Sequence, residues 1–268
     1  MVFASPASPA STHERALCVS VVSHGQGALV DCLLADIAQL PRGTVARVVV
    51  TVNQPFDTWQ PALGEIPGTE LEVLHNSAPQ GFGANHNLAF AHCNEPCFVV
   101  VNPDIRLIGD PFEALISQLE QDPGCALTVP VQLDAGGHLE SFARRLPTPF
   151  SVVARRLASA GARGAEQNRA QWVSGAFMLW RSTAFRRLGG FDAGYFLYCE
   201  DVDICLRLQL AGQRFAVVDS ARVVHDAQRD SRGSPRYLMQ HVKSLLRLWA
   251  SPVFWCFLRA GRRPVCAA

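Results

Sequence analysis

The stretch FLYCEDVDICLRL, residues 196–208, places three carboxylates, Glu200, Asp201 and Asp203, within four positions. An aromatic run (Tyr195, Phe196, Tyr198) precedes them, and Val202, Cys205, Leu206, Gln209 and Leu210 follow at helical spacing, so a helix is expected to start near Asp201. Acidic residues in a first turn are stabilised by the helix dipole by a few tenths to ~1 kcal/mol. Asp203 also lies four residues before Arg207, which fits an exposed i,i+4 ion pair, and reads as structural. Glu200 and Asp201 are less well explained that way. A carboxylate at a pocket rim beside aromatics is placed to take a proton from a hydroxyl.

Two further segments carry candidate chemistry. VVVNPDIRL puts Asn102 and Asp104 directly after a hydrophobic run, two positions apart around Pro103, where their oxygens could share one Mg²⁺ or Mn²⁺. An Asx-turn closing the strand uses the same residue types, and for this segment alone that reading is favoured. His225, in ARVVHDA, also follows a strand end and becomes a third ligand if Asp104 is one. In APQGFGANHN, glycines beside a turn permit close approach of backbone to a nucleotide. The third glycine of a dinucleotide fingerprint is missing, and a plain tight turn reads equally well.

The elements that must position these groups alternate. Buried strands are expected at 16–23, 45–52, 71–76, 97–104 and 125–132, with helices at 28–40, 84–93 and 111–121. The strands are continuous apolar runs, which indicates an α/β fold with a largely parallel sheet covered on both faces. In such sheets ligands bind beyond the carboxyl ends of the strands. His24, Asn53, Asn76, Asn102 and Asp104 all fall at those ends. Residues 133–170, rich in Gly, Pro, Arg and Ala, read as an irregular insertion. A strand at 171–181, a short helix at 182–192, the acidic helix to about Gly212 and a strand at 214–226 complete the pattern.

The 268 residues, 49% hydrophobic with a formal net charge of +1, suit one large domain and give no global signal for nucleic acid. Residues 1–15 read as a disordered lead-in without signal-peptide layout. No run of 18 apolar residues occurs, and the nine cysteines form no paired CxxC sets. The reading is of a cytoplasmic protein with reduced thiols. From Ser231 to the end there are seven basic residues and no acidic ones, interleaved with apolar residues. This basic, amphipathic tail, residues 231–268, suits either an anionic membrane surface or packing on the domain.

Taken together, NSAPQGFGANHN, VVVNPD, WVSGAFMLWRSTAFRRLGGFDAGYFLYCEDVDICLRLQLAG and VVH resemble family 2 inverting glycosyltransferases, in the branch of bacterial rhamnosyltransferases and galactofuranosyltransferases of cell-surface polysaccharide. The resemblance runs over roughly residues 16–245. It implies the GT-A fold, an α/β architecture with a mostly parallel central sheet flanked by helices, over residues 16–230. It implies that Asp104, Asn102 and His225 hold Mg²⁺ or Mn²⁺, and that Asn76 with Gly81, Phe82, Gly83 and Asn85 lines the nucleotide pocket beside His24 and Asn53. Trp172, Ser174 and Gly175 would lie near donor sugar and acceptor, Asp201 would be the general base, and Glu200 would help hold the acceptor. The implied donor is a nucleotide-diphospho-sugar, dTDP-rhamnose first and UDP-sugars next. The implied acceptor is a lipid-linked or lipopolysaccharide-linked saccharide at the inner membrane face. The sequence differs from the family pattern in having Asn102 first in the metal motif, Val52-Asn53 where an acidic base reader is common, and Ser23-His24-Gly25 after the first strand.

Two other classes fit parts of the pattern. A nucleotidylyltransferase needs a basic Gly-rich loop after the first strand, and HGQG has no Arg or Lys. A binding protein that kept the fold without turnover need not retain Asp104, Asp201 and His225.

Overall fold

The computed structural model describes residues 17–151, 170–226, 235–261 and 266–267. The expected lead-in and most of the Arg/Ala-rich part of the insertion lie outside them. The strands β1 (Leu17–Ser23), β2 (Val45–Val52), β3 (Glu70–His75) and β4 (Cys97–Val101) form in the expected order, interrupted by helices α1 (Gly27–Ala38) and α2 (Phe82–Ala91). Then come β5 (Ile105–Leu107), α3 (Phe112–Gln121), β6 (Cys125–Leu133), β7 (Ala143–Arg144), β8 (Trp172–Val173) and β9 (Phe177–Arg181). Helices α4 (Ser182–Arg187) and α5 (Glu200–Leu210), strand β10 (Arg214–His225), helices α6 (Pro235–Ala250) and α7 (Pro252–Ala260), and β11 (Cys266–Ala267) follow.

The main sheet has the order β11-β10-β6-β9-β4-β1-β2-β3, with β5 paired to β10. Neighbours are parallel except β9, which runs antiparallel between β4 and β6, and β5. The apolar runs of β1, β2 and β4 are buried because both faces are covered. On one face, α1 and α3 present Val30, Leu33, Leu34, Ile37, Phe112, Leu115, Ile116 and Leu119 to the sheet. On the other, residues of α2, α4, α5, α6 and α7 form a second core around Phe98, Trp180 and Phe185.

Two elements differ clearly from the sequence reading. The expected strand 171–181 is split into β8 and β9 by a turn at Ser174–Ala176, and β8 pairs with β7 in a separate two-stranded sheet. The helix after Arg181 ends at Arg187, because Gly189 and Gly190 take left-handed backbone (φ 73° and 68°). The basic C-terminal segment packs on the domain, one of the two uses expected for it, and contributes Leu245, Leu248, Phe254 and Phe257 to the same core as the acidic helix α5.

Candidate active site

Four parallel strands deliver polar residues to one edge of the sheet, and a cleft of about 900 Å³ opens there. Its walls include His24 and Asn53 after β1 and β2, and Asn102 and Asp104 after β4. Ser174 and Gly175 come from the turn that interrupts the expected strand, and Phe82 from the start of α2. Phe196, Leu197, Tyr198, Glu200 and Asp201 close one side, and Tyr237 and Gln240 of α6 reach the rim.

The acidic helix starts under backbone strain. Tyr198 and Cys199 are the non-glycine residues with positive φ among the described residues, at 71° and 67°. Consecutive left-handed non-glycine residues are costly and persist only where the surroundings hold them. Here the loop is tied down at several points. Phe82 N–H donates to the Phe196 carbonyl at 2.9 Å, Ser244 Oγ to the Leu197 carbonyl at 2.7 Å, and Tyr198 stacks on His241 with ring centroids 5.0 Å apart.

Asp201 then points at the cleft with both carboxylate oxygens occupied by backbone donors. Gly175 N–H donates to Oδ2 at 3.2 Å and Val202 N–H to Oδ1 at 2.8 Å. Burial raises its pKa, and these donors and Arg144 oppose the rise. Glu200 is buried, and its Oε2 has no hydrogen-bond partner. Burial first, and the charge of Asp201 second, push Glu200 up to about 8. Both carboxyls are thus pushed upward as one coupled pair, and Glu200, without backbone donors on Oε2, is the one held furthest from its ordinary value. Asp203 is different: it accepts from Arg207 Nε at 2.7 Å in the expected i,i+4 pair, but the pair is not exposed, because Asp203 is buried where α5 packs on the core.

The strand ends beyond β4 and β10 converge by register. β5 pairs antiparallel with β10, which lays His225 opposite Ile105 and beside Asp104. His225 Nε2 lies 3.5 Å from Asp104 Oδ2, while Nδ1 is 2.7 Å from Glu140 Oε2. Burial lowers the His225 pKa, but the two carboxylates outweigh it and the net shift is upward. Asp104 Oδ1 is buried without a donor. A carboxylate oxygen left unpaired next to an imidazole, with the Asn102 amide in the same cleft, is a donor set that fits a hard divalent cation. Glu140 comes from the segment read as an irregular insertion. It is held there because its N–H donates to the Gln132 carbonyl, and because Asp134 Oδ1 accepts from the N–H groups of Gly136 and His138 to close the turn. No sequence pattern marks it.

Several expected site residues do other work. Asn76 Nδ2 donates to Asn53 Oδ1 (2.8 Å) and Asn85 Oδ1 (2.7 Å), and Asn53 also accepts from Gln80 N–H and donates to the Gln80 carbonyl. Asn76 and Asn85 thus stand behind the wall and fix the loop, and the Asn53 amide is largely spent on it. Trp172 lies in the core, outside the cleft, donating to the Arg145 carbonyl at 2.9 Å. The glycines of GFG make room for protein. A Cβ on Gly81 would lie 2.7 Å from the Tyr195 carbonyl oxygen, and one on Gly83 would lie 2.5 Å from Phe191 Cβ. Overpacking of this kind costs about 1–3 kcal/mol. Gly83→Ala is accordingly expected to lower stability by about 2 kcal/mol in urea unfolding, an effect that a merely loose turn would not show.

The residues that sequence reasoning missed at the cleft are Gln26, Gln54, Pro55, Phe56, Pro79, Gln80, Tyr237 and Gln240. Pro79 and Gln80 belong to the APQGFGANHN stretch and Gln26 to HGQG, where attention fell on the glycines, and the others sit in loops or on the C-terminal helix outside any motif.

Comparison with known proteins gives one consistent picture. Residues 15–250 match the family model described as glycosyltransferase like family 2. The chain is 31% identical to the rhamnosyltransferase WbbL of Escherichia coli (strain K12), over 63% of this chain and 70% of that protein. It is 26% identical to the N-acetylglucosaminyl-diphospho-decaprenol L-rhamnosyltransferase of Mycobacterium tuberculosis (strain ATCC 25618 / H37Rv), over 88% and 87% of the two chains. Among solved structures, S. aureus TarS 1-349 in complex with UDP-GlcNAc superposes with a TM-score of 0.62 at 13% identity, covering 90% of this chain and 71% of that one. The mannosyltransferase PcManGT from Pyrobaculum calidifontis, in complex with GDP-Man and Mn²⁺, gives 0.58 at 18%, covering 91% and 74%. With a family model spanning most of its length and a glycosyltransferase fold around the acidic cleft, the chain belongs to the family 2 glycosyltransferases.

Proposed function

We propose that the protein transfers rhamnose from a nucleotide-diphosphate donor, dTDP-rhamnose, to a hydroxyl of a lipid-linked saccharide in bacterial cell-surface polysaccharide synthesis, with inversion at the anomeric carbon. The observation that carries this is that Asp201, fixed by two backbone N–H groups, and the buried, partnerless Glu200 Oε2 share one cleft with Asn102 and Asp104. The two rhamnosyltransferase relatives support the sugar, and the decaprenol-linked substrate in the name of one supports the acceptor class.

The chemistry follows from the geometry. Asp201 Oδ2 or Oδ1 accepts the proton of the acceptor hydroxyl as it attacks, a role typically worth ~10²–10⁴ in rate. The Gly175 and Val202 N–H groups fix the carboxylate so that it is aimed before the acceptor arrives. Glu200, carrying a proton and having no protein partner on Oε2, donates a hydrogen bond to an acceptor oxygen. Asp104, His225 and Asn102 would hold Mg²⁺ or Mn²⁺. A divalent ion bound there neutralises charge on a leaving diphosphate.

Glu140 orients His225 and raises its basicity as a ligand. Loss of such a partner typically costs 10- to 100-fold in metal affinity. Glu140→Gln is therefore expected to weaken Mn²⁺ binding, followed by electron paramagnetic resonance, by about 10-fold. Unchanged binding would remove His225 or Glu140 from the ion's surroundings.

The functional reading is tested with purified protein, dTDP-rhamnose and a lipid-linked N-acetylglucosamine acceptor. A new glycolipid one deoxyhexose heavier, with the anomeric configuration opposite to the donor's, is the expected product. A retained configuration would contradict the single displacement. Transfer from UDP-sugars alone would contradict the donor.

A further inference from the structure

Helix α6 has two apolar faces, and the fold uses one of them. Leu245 and Leu248 are buried in the core, and Ser244 is buried while holding the Leu197 carbonyl. On the opposite side Leu238, Val242 and Leu246 follow one another at i, i+4 and i+8, with Met239 beside them, and all are about half exposed. Positions four apart stack along one face of a helix, so these side chains form a single stripe. Helix α7 adds Trp255 and Leu258, also exposed. Scattered exposed leucines need no explanation, but a continuous stripe on the outer face of a helix marks an interaction surface.

Charge selects the partner. Lys243 lies at the edge of the stripe and Arg259 lies on α7, both exposed, and neither helix carries an acidic residue. Two copies meeting through this face would bring like charges together. An anionic lipid surface offers opposite charge to the basic residues and hydrocarbon to the stripe. Among the described residues no helix is long and apolar enough to cross a membrane, so the stripe would lie in the interface.

We infer that the outer face of α6 and α7 docks on an anionic phospholipid bilayer and seats the cleft against it. The position of α6 supports this. Its other side supplies Tyr237 and Gln240 to the cleft rim and clamps the 192–198 loop through Arg247–Asp192 (2.8 Å), Ser244–Leu197 and the His241–Tyr198 stack. One helix thus carries the membrane-facing stripe on one side and the wall beside Glu200 and Asp201 on the other. The inference names the surface that would present the cleft to a lipid-linked acceptor. To that extent it rests on the acceptor reading above, but the docking itself is tested without donor or acceptor.

The experiment is co-flotation of the full chain with vesicles of phosphatidylcholine alone and with phosphatidylglycerol added. The variant is Leu238→Ser/Val242→Ser/Leu246→Ser, whose three sites lie outside the cleft and whose folding is checked by its melting curve. The wild type is expected to float with phosphatidylglycerol vesicles, bind pure phosphatidylcholine about 10-fold more weakly, and lose about 10-fold in affinity for the anionic vesicles in the variant. Nucleotide-sugar turnover in solution stays unchanged in that variant. A wild type that stays in solution with anionic vesicles, or a triple variant that floats like it, overturns the proposal. So does light scattering that gives a dimer for the wild type and a monomer for the variant, since the stripe then serves a second copy. Failure to float with turnover intact removes the docking face and leaves the transferase reading standing.

Discussion

Asp201→Asn is expected to lower transfer by ~10²–10⁴ while leaving donor binding within about twofold. The substitution keeps the shape of the side chain but only one of its two acceptors, so either the Gly175 or the Val202 N–H loses its partner. With that acceptor it removes the negative charge that would accept a proton, and Asp201→Glu, run beside it, separates charge from position. Asn53, Gln80, Asn102 and Asp104, the residues that the proposed function places around the donor, are untouched. The measurement is a pair: turnover by nucleotide release, and donor affinity by calorimetry. Equal losses in both would mean that Asp201 holds the donor. Retained turnover would remove it from the chemistry.

The second large effect concerns Glu200. Its pKa rises from an ordinary 4.5 to about 8 because it is buried next to a charged Asp201. The folded protein therefore keeps a proton between about pH 4.5 and 8 that the unfolded chain has lost. Its contribution to stability is complete below the unfolded pKa and is lost as pH rises through that window. On the order of 3 kcal/mol is at stake between pH 5 and 9. Glu200→Gln is neutral throughout, so the variant is expected to lack this loss and to be the more stable protein at pH 9. Urea unfolding of both proteins across that range checks the sign. The same proton serves the reaction, so activity is expected to fall above pH 8 in the wild type and to hold in the variant, whose amide still donates. Parallel stability curves would place the proton elsewhere.

The fold was legible because its central strands are buried on both faces. Continuous runs such as VARVVVTV and CFVVV have little choice but a covered parallel sheet. Strand direction is not written in a period, so nothing in FMLWR revealed that β9 runs antiparallel between β4 and β6. At the site, the strand-end positions His24, Asn53, Asn102 and Asp104 do meet Ser174, Gly175, Glu200 and Asp201 in one cleft. The sequence was misleading where one residue type serves two purposes. The GFG glycines are small for the sake of the Phe191–Phe196 segment, which packs against α2. Trp172 is aromatic for the sake of the core, and Asn76 is polar in order to hold Asn53 and Asn85. Glu140, Tyr237 and Gln240 reach the site through tertiary contacts made by a loop and a distant helix, which local pattern does not encode.

The central claim is that this cleft turns over a nucleotide sugar by the Asp201 carboxylate. The most direct measurement is release of nucleotide from dTDP-rhamnose, UDP-GlcNAc, UDP-galactose and GDP-mannose by the purified protein with Mn²⁺ and a lipid-linked N-acetylglucosamine acceptor, run beside Asp201→Asn. The account predicts dTDP released from dTDP-rhamnose by the wild type and not by the variant. Release of nucleotide from none of the four, or equal release by the two proteins, would contradict it.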